Sequence, residues 1–599
     1  MLTKPRRHVV RIPLLLGVLG CLAACTSDSD GAAPADSAPE TAAPTVIPST
    51  EAAPATEPPT DLTDESARNT LTVLDNANNT LSAQLDFELG QPAIITITAV
   101  SGDHAVELPP TAQAIDTVSI PLVGMRSDRT YEISAALSTA DGTDFDVLDA
   151  EFTTGSVPDR FVPYEFESDL SRASAGYTII EIQELLDPAS ATPARPFDQF
   201  QYLIAVDNEG EIVWYYQNGP VIGAVEQTVD GTFSSIYWPN GIREFDMLGN
   251  EIGEWIVPVD AETAADVETT LDDAPDSIPG GTNLNAVDPI PLISEDFNLI
   301  HHEAQRTVDG NYLALSATSH DLTDEQRAAI CPGDDLPFNA LSDVAVEFTP
   351  EGEILRTWDL WDVIDIDDVP GEEMCNAFFA VDGARDWTHA NAVVYDPDRD
   401  AVIFSARHTS QVIAMQHGED LGPQTELLWT FGDNGTLPLT GDGPRYQHAV
   451  EVQDDGSILL YDNGNGRPGT DPADPENPPY SRAVLYDVDD RSDVPADWQV
   501  TQLWEHRTDD VDGEPLFAAF IGDADRVSNG NVLITHGGAD FMNPTSFLHT
   551  RIIEVVPDGP SGGDIVWQFD AGAPGQFVAT YRAERIDSFY IGPEWAPLG

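Results

Sequence analysis

The sequence predicts an all-β protein in which a six-bladed β-propeller follows a small β-sandwich domain. Glycine and proline are abundant, at 45 and 46 of 599 residues, which favours short strands joined by tight turns over helices. Apolar residues make up 41% of the chain, enough for extensive buried cores. A unit of short strands separated by Asp-Gly-type turns, and ending in an aromatic residue, recurs along the chain. Such repeats bury their apolar faces by stacking on one another.

Residues 1–24 have the composition of a lipoprotein signal peptide. They contain no acidic residue, and four basic residues precede or begin an apolar run: Lys4, Arg6, Arg7 and Arg11. The run is too short to span a membrane as a stable helix. It ends in Leu-Ala-Ala-Cys, which resembles the lipobox of bacterial lipoproteins, so we expect cleavage before Cys25 and a lipid on its thiol. The alternative is an ordinary secretory signal followed by a chance cysteine.

Residues 25–66 continue as a tether rich in Ala, Pro, Thr, Ser, Glu and Asp, without an aromatic residue after Cys25. A segment of this composition cannot bury enough apolar surface to order itself. We therefore expect an exported protein, lipid-anchored to the outer face of a bacterial membrane in the cell envelope and lifted off it by a disordered spacer.

The charge balance excludes several classes of function. The chain has 104 acidic and 26 basic residues, a formal net charge of −78, so neither nucleic acid nor an anionic lipid surface is an expected partner. Lys4 is the sole lysine and lies in the signal segment. This excludes Schiff-base catalysis and a phosphate-loop lysine in the mature chain. A surface this acidic also suggests a salty habitat, where its self-repulsion is screened.

Residues 67–157 alternate apolar and polar positions in short runs, at 81–87, 93–100 and 130–133. This pattern predicts a β-sandwich similar to a fibronectin type III domain. The stretch from Leu122 to Tyr131 resembles the turn before a late strand of such sandwiches, where a buried tyrosine with a bonded hydroxyl fixes the corner.

Residues 160–590 contain the recurring unit and form the predicted six-bladed propeller, the catalytic domain. Six copies are recognised: Leu203–Tyr216, Thr228–Ile256, Val308–Trp358, Val393–Phe431, Val452–Trp504 and Val527–Trp567. Radial stacking of six such units buries every sheet face. Because the spacing is irregular and an acidic insertion runs from Asp260 to Asn298, five or seven blades stay open as alternatives.

Cys331 and Cys375 are the two cysteines that follow Cys25. In an exported protein a remaining pair favours a disulfide over a reactive thiol, so we expect them to be joined.

Three motifs contain histidines at equivalent places, at the entrance of a unit's first strand. They are His301-His302-Glu303, Asp386-Trp387-Thr388-His389-Ala390-Asn391 and Tyr446-Gln447-His448. The first strands of a propeller line its central channel, so residues at their entrances converge at one end of the axis. Arg407 lies one strand beyond His389. Three imidazoles and a guanidinium are thus expected to meet although far apart in sequence.

These motifs, followed by Asp462-Asn463-Gly464-Asn465-Gly466-Arg467, resemble those of the bacterial arylsulfate sulfotransferases over residues 160–590. The resemblance implies a six-bladed propeller that moves a sulfuryl group from a phenolic sulfate donor to a phenol acceptor by a ping-pong mechanism. It implies no cofactor. His448 would be the nucleophile that forms a sulfohistidine, while His302, His389 and Arg407 would hold the sulfate oxygens.

Substrate-binding roles are expected for Asn391, His301 and Arg467. Further arginines could help the local pocket outweigh the acidic surface: Arg385, Arg445 and Arg526. The chemistry suits these residue types, because neutral imidazole is a competent nucleophile near pH 7 and arginine offers a planar fork to two sulfate oxygens.

Two other functions stay open: a non-catalytic propeller that binds a sulfated or phenolic ligand or a partner protein, and a metal-dependent hydrolase. Three convergent histidines could bind zinc or copper, but an arginine among them opposes a cation, so no metal is predicted. Asp396–Asp400 lacks the later glycine and glutamate of a calcium loop and is expected to be a turn. His536 is the likeliest functional residue among the other histidines.

Overall fold

A computed structural model of the chain describes residues 69–186, 198–217, 222–237, 241–257, 290–292, 299–333, 337–366, 371–375, 380–381, 383–418, 426–509, 513–539, 549–572 and 576–596. The predicted signal peptide, Cys25 and almost all of the tether and acidic insertion lie outside these residues. The all-β prediction is confirmed, since strands make up 55% of the chain and helices 4%. None of the helices in the described ranges is long and apolar enough to cross a membrane.

The N-terminal unit contains β1 (Thr70–Asp75), β2 (Ala83–Ser101), β3 (His104–Glu107), β4 (Ile115–Leu122), β5 (Thr130–Ser138) and β6 (Asp144–Thr153). Two runs that the sequence suggests as separate strands form one long strand, β2. Its first half pairs with β1 and β4, and its second half pairs with β3 and β5. The pairing with β4 shifts between Glu88 and Ala93, where β2 passes from one set of partners to the other.

Tyr131 fixes the corner before β5 as the sequence predicts. Its side chain is fully buried, and its hydroxyl accepts a hydrogen bond from the backbone N–H of Arg126 at 2.8 Å. The core of this unit continues into the rest of the molecule, because the Tyr590 hydroxyl accepts from the N–H of Val123 and Trp214 belongs to the same apolar cluster. The N-terminal unit is therefore packed firmly against the first two sheets that follow.

Six further sheets follow one another along the described chain after β7 (Tyr164–Ser168). The first contains β8 (Tyr177–Leu186), β9 (Asp198–Asp207) and β10 (Ile212–Tyr216). The second contains β11 (Ile222–Gln227), β12 (Phe233–Tyr237), β13 (Gly241–Phe245), β14 (Glu251–Ile256) and β15 (Ile290–Pro291). The third contains β16 (Ile300–Arg306), β17 (Tyr312–His320), β18 (Asn339–Phe348), β19 (Ile354–Asp359), β20 (Ala380–Val381) and β21 (Ala384–Asp386).

The fourth sheet contains β22 (Ala390–Asp396), β23 (Ala401–Ala406), β24 (Gln411–Gln416) and β25 (Leu427–Gly432). The fifth contains β26 (Leu439–Thr440), β27 (His448–Val452), β28 (Ile458–Asp462), β29 (Arg482–Asp489) and β30 (Gln499–Arg507). The sixth contains β31 (Asp523–Arg526), β32 (Val532–Ala539), β33 (His549–Pro557) and β34 (Gly563–Ala571), and β35 (Phe577–Ala579) and β36 (Ala583–Ile586) follow it. Each predicted unit falls within one of these sheets. The sequence-derived units begin too late, because the strand before each Asp-Gly-type turn also belongs to the sheet.

Contacts between sheets run in chain order and return from the sixth sheet to the first. One strand of each sheet belongs to a series in which each member contacts the next: β8, β11, β16, β22, β27 and β31. We call these the first strands, although the short β26 precedes β27 in the chain. Two remote pairings join the ends: β7 adds to the edge of β34 in the sixth sheet, while β35 and β36 pair with β8 in the first. The chain segments on either side of the six sheets therefore complete the last and the first of them.

The recurring tryptophans connect neighbouring sheets. Five of them lie on the fourth strand or last strand of a sheet and donate Nε1–H to a turn of the next sheet, at distances of 2.7–3.1 Å. The donors are Trp214, Trp255, Trp358, Trp429 and Trp504, and the acceptors belong to Met247, Pro350, Gln416, Asp490 and Gly562. Trp567 occupies the equivalent position in the sixth sheet, but its Nε1 has no hydrogen-bond partner in the described chain. The recurring tryptophan of the sequence repeat therefore marks a hydrogen bond between neighbouring sheets.

Two short helices lie in long connections of the third sheet, α1 (Asp324–Ile330) and α2 (Gly371–Cys375). Thr323 caps α1 and forms a reciprocal capping box with Gln326. The predicted disulfide between Cys331 and Cys375 is present and joins the ends of the two helices, with their Cα atoms 5.4 Å apart. Although the composition favours strands, a local capping signal and a disulfide are enough to stabilise these single turns.

Trp358→Phe should lower the free energy of unfolding by about 1 kcal/mol more than Trp567→Phe. Both tryptophans are 1% exposed, so both variants lose similar apolar contacts. Only the first leaves a partner, the carbonyl oxygen of Gln416, without its hydrogen bond. Denaturant titrations of the two variants measure this difference, and equal losses would contradict the role assigned to the inter-sheet bond.

Candidate active site

The first strands of the third, fourth and fifth sheets share a backbone irregularity at their entrances. Their pairing shifts between His301 and Ala304, between Ala390 and Ala392, and between His448 and Val450. A residue in the left-handed region accompanies each shift: His302 at φ 56°, His389 at φ 49° and Ala449 at φ 51°. Such bulges redirect side chains out of the alternating pattern of a strand and are strained for residues other than glycine.

The bulges bring the three predicted histidines together. The ring centroid of His302 lies 5.0 Å from that of His389 and 6.3 Å from that of His448. Arg407 is held beside them, because its backbone N–H donates to the carbonyl oxygen of His389 at 3.1 Å. The four residues that the sequence motifs single out therefore form one cluster.

The contacts of His448 define the protonation state of its two ring nitrogens. It is 2% exposed, and its Nδ1 lies 2.7 Å from the carbonyl oxygen of Gly522. A carbonyl can only accept, so Nδ1 bears the proton, and Nε2 has no hydrogen-bond partner in the described chain. Burial, followed by the charge of Arg582, lowers the pKa of His448 well below its usual range. His448 is thus a neutral imidazole with a lone pair on a buried Nε2.

Gly522 is required where it accepts this hydrogen bond. Its φ is 109°, and a Cβ atom there would lie 2.6 Å from a ring carbon of Tyr461. A larger residue would displace the carbonyl that sets the tautomer of His448.

His389 forms a short hydrogen bond with the buried carboxylate that begins its own motif, Asp386, to which the sequence assigns no role. Its Nδ1 lies 2.5 Å from Asp386 Oδ2. Burial raises the pKa of Asp386 to about 6 and lowers that of His389 to about 3. His408 packs on His389 with ring centroids 4.9 Å apart, and its Nδ1 donates to the Trp387 carbonyl oxygen.

Asp386, His389 and His408 each present a potential metal-ligand atom within 4.8 Å of the others, the one such group in the described chain. Two ligands on a tetrahedral ion with bonds of about 2.0 Å lie roughly 3.3 Å apart. The 2.5 Å separation of Asp386 and His389 is that of a hydrogen bond instead. The pair is therefore better described as a carboxylate that orients an imidazole.

Arg407 brings a positive charge to the cluster. In the described chain its guanidinium donates to the carbonyl oxygen of Ala519 at 3.0 Å and lies 4.9 Å from the ring centroid of Tyr446. Tyr446 is itself held by a short hydrogen bond from its hydroxyl to Glu373, at 2.5 Å. Since a neutral carbonyl and a ring engage it, the guanidinium retains charge that can act on an anion.

Tyr581 and Arg582 complete the cluster and are absent from the sequence motifs. The Tyr581 ring lies 5.1 Å from the ring of His448, and its hydroxyl donates to the carbonyl oxygen of His302. Arg582 donates to Glu303 at 2.6 Å and to the carbonyl oxygen of Asn391 at 3.0 Å. Both residues come from the segment between β35 and β36, which belongs to no repeat, so neither spacing nor a repeated motif points to them.

The predicted substrate-binding residues take three different positions. Asn391 is buried, and its side chain donates to the carbonyl oxygen of Gln447, directly before His448. His301 lies behind His302, with their Nδ1 atoms 2.8 Å apart. Arg467 is held by Asp462 at 2.6 Å and by the Tyr480 ring, and no described contact joins it to the cluster.

Other candidates have partners outside the cluster. Arg385 lies over the Phe338 ring, Arg445 pairs with Asp433, and Arg526 bonds Gln453. His536 is fully buried between the hydroxyls of Tyr461 and Thr508. The Asp396–Asp400 stretch is a turn, as expected, and Arg399 bridges Asp396 and Asp490 across it.

Several buried carboxylates lie on β8, β16, β27, β31 and β36, and two of them, Glu303 and Asp523, act on the charge of Arg582. Burial raises the pKa of Glu181 to about 8, that of Glu584 to about 8 and that of Glu451 to about 7, and it also raises the pKa of Glu303 and Asp523. At neutral pH much of this acidity is therefore held in protonated form.

Comparison with known proteins identifies relatives of this chain. Residues 170–571 match the family described as Arylsulfotransferase (ASST). An "Arylsulfate sulfotransferase AssT" of Lelliottia amnigena is 24% identical over 386 residues, covering 54% of this chain and 55% of that protein. Its counterpart in Escherichia coli O6:H1 (strain CFT073) is 23% identical over 387 residues, with the same coverage. The chain thus spans about half the length of the curated relatives it matches.

Among solved structures, a protein of unknown function from Bacteroides caccae aligns with a TM-score of 0.34 and 12% identity. It covers 67% of this chain and 98% of that one. A likeness at this level is too distant to define the fold.

Glu181→Gln should become more stable relative to the wild type as the pH rises from 5 to 8. Glu181 has a folded-state pKa of about 8, above the ordinary value of 4.5, so its contribution to stability is complete at low pH and is lost as the pH rises toward 8. Glutamine keeps the acceptor for the N–H of Val225 and does not titrate.

Unfolding midpoints of both proteins at pH 5 and pH 8 test this. We expect the stability difference to change by more than about 1 kcal/mol. A difference that is independent of pH would mean that Glu181 is ionised in the folded protein.

Proposed function

The chain belongs to the arylsulfotransferase family, and we propose that it moves a sulfuryl group from a phenolic sulfate ester to a phenol through a sulfohistidine on His448. The observation that carries this proposal is the state of the His448 ring. Its Nδ1–H is held by Gly522, and its Nε2 is buried with no hydrogen-bond partner in the described residues. A buried polar atom without a partner is costly, and a reacting group explains why it is tolerated.

The reaction follows from this arrangement. His448 Nε2 forms a bond to sulfur while the bond from sulfur to the aryl oxygen breaks, and the phenolate leaves with the electron pair. A phenol then enters the same space, its oxygen attacks the sulfur, and the N–S bond breaks. Because the protein holds the group between the two half-reactions, one cavity serves donor and acceptor in turn, which is a ping-pong mechanism. No cofactor is required.

Arg407, His389 and His302 provide the electrostatic part of the proposal. Charge is spread over three equatorial oxygens in the transfer of such a group, and fixed donors around them stabilise the transition state. Arg407 brings a planar fork, and the rings of His302 and His389 lie 5.0 Å apart in the same cluster. Tyr446 and Tyr581 flank them with partly buried rings, which suit an aromatic substrate.

The six sheets are proposed to be the blades of a six-bladed β-propeller within residues 160–590, with residues 67–157 as a fibronectin-like sandwich in front of it. The order of the sheets, the contacts between their first strands and the two remote pairings support this arrangement. In a propeller, the first strands would line the central channel, with the histidine cluster at one end.

Location at the cell envelope is proposed on the sequence alone. Residues 1–24 would direct export, Cys25 would carry the lipid, and residues 25–66 would separate the enzyme from the outer face of the membrane. Phenolic sulfates and phenols, as small molecules, would reach the site from outside the cell.

His448→Asn should abolish release of 4-nitrophenol from 4-nitrophenyl sulfate in the presence of phenol. Asparagine can keep the hydrogen bond to Gly522 through its amide N–H but has no Nε2, so only the nucleophile is lost. We expect the turnover number to fall by at least about 10³-fold.

His506→Asn is the matched control, because His506 is also a buried histidine but lies outside the cluster. It should retain wild-type turnover. Full activity of His448→Asn would contradict the nucleophile. A wild type that binds 4-nitrophenyl sulfate without turnover would instead favour the non-catalytic binding protein.

Cys25→Ser should release the protein from the membrane into the soluble fraction of its bacterial host, because serine offers no thiol for the lipid. Fractionation followed by immunoblotting measures this, with Cys21→Ser as the control that stays bound. Retention of Cys25→Ser on the membrane would show a different anchor.

A further inference from the structure

A buried carboxylate lies behind the two histidines of the third sheet. Asp343 is 3% exposed, and its Oδ1 lies 3.3 Å from His301 Nε2. Its Oδ2 accepts hydrogen bonds from the backbone N–H of Ala390, at 2.7 Å, and from the hydroxyl of Thr388. Asp343 therefore contacts both the residue behind His302 and the two residues on either side of His389.

The contacts of His301 decide where its protons lie. Its Nε2 faces the carbonyl oxygen of Ser316 at 3.0 Å as well as Asp343, and both are acceptors, so Nε2 bears a proton. Its Nδ1 lies 2.8 Å from His302 Nδ1, and one of these two atoms must donate to the other. If His301 donates, it is an imidazolium whose charge is balanced by Asp343, and His302 keeps its own proton on Nε2.

The arrangement in which His301 donates to His302 is the one that suits an anion. A neutral His302 with its proton on Nε2 presents an N–H donor, whereas the opposite tautomer presents a lone pair that repels the oxygens of a sulfate ester. Other titratable groups close enough to act on His301 through space are Asp386 and His389. The nearest is Asp343, whose Oδ1 lies 3.3 Å from His301 Nε2, where a carboxylate can balance the charge of a doubly protonated ring.

We propose that Asp343 and His301 are positioning residues that form a proton relay for His302, which protonates the departing phenolate. The inference rests on the proposed function and extends it to the leaving group. As the bond between sulfur and the aryl oxygen breaks, that oxygen takes the proton of His302 Nε2, and His302 Nδ1 takes the proton of His301 Nδ1. His301 becomes neutral and keeps Nε2–H on Asp343 and Ser316. In the second half-reaction the acceptor phenol gives its one proton to His302 Nε2, and His302 Nδ1 returns its proton to His301 Nδ1.

His302 is assigned this role rather than His389 because of what lies behind each ring. His302 has a second imidazole and then a carboxylate in line, three groups that can pass one proton and return it. Behind His389 there is one such group, the carboxylate of Asp386. His389 is then left to orient the sulfuryl oxygens.

The test compares donors whose leaving groups differ in basicity. Phenyl sulfate releases a strongly basic phenolate that needs a proton, whereas 4-nitrophenyl sulfate releases a weakly basic one that does not. Asparagine at position 343 can still accept from Ala390 and Thr388 but carries no charge to balance an imidazolium. In Asp343→Asn we expect kcat/KM for phenyl sulfate to fall at least about 10-fold more than kcat/KM for 4-nitrophenyl sulfate.

His301→Gln is the second variant, should Asp343→Asn fail to fold, and the same selective loss is expected. Asp359→Asn is the matched control, because Asp359 also pairs with a histidine of the third sheet, His320, away from the cluster. Asp359→Asn should lower kcat/KM for the two donors by the same small factor. Equal losses on the two donors in Asp343→Asn and His301→Gln would overturn the relay while leaving the sulfotransferase proposal intact. A wild type that turns over neither donor would overturn the proposed function, and the relay with it.

Discussion

Closure of the six sheets is the constraint on which the candidate site depends. The cluster contains one histidine from each of three different sheets, so its geometry exists only if all the sheets keep their places relative to one another. The last sheet is completed by β7, which comes before the first sheet, and the first sheet is completed by β35 and β36, which come after the last. The same closing segment carries Tyr581 and Arg582 into the cluster. The segment that completes the first sheet therefore also completes the cluster.

The repeated parts of the molecule could be predicted from the sequence. The tryptophans mark equivalent strands because each connects its sheet to the next, and the histidine motifs mark equivalent strand entrances. The roles of Asp343 and Asp386 could not be predicted, although Asp386 begins the second histidine motif, since a buried carboxylate looks like any other acid in a chain with 104 of them. His301 and His302 illustrate a second limit. Strand alternation predicts opposite faces, but a left-handed residue at His302 leaves the two rings in hydrogen-bond contact.

Arg467 illustrates a further limit, because the motif resemblance that predicts its substrate-binding role does not reveal its partners. A fully buried carboxylate, Asp462, holds it together with Arg482. Buried charges are stable only when paired, and in this acidic chain most arginines are used in that way. Arg407 differs because its described partners are a carbonyl and an aromatic ring. Burial also raises the pKa of Glu181 and Glu584, so these carboxyl groups carry less negative charge at neutral pH than exposed acids do.

The central claim is that His448 Nε2 is an unprotonated nucleophile held ready by Gly522. The most direct measurement is peptide mapping by mass spectrometry after the protein has been mixed with an aryl sulfate donor and no acceptor. The account predicts an added SO₃ group on the peptide that contains His448, which disappears when a phenol is supplied. An SO₃ group on another residue, or none on a protein that turns over the donor, would contradict it.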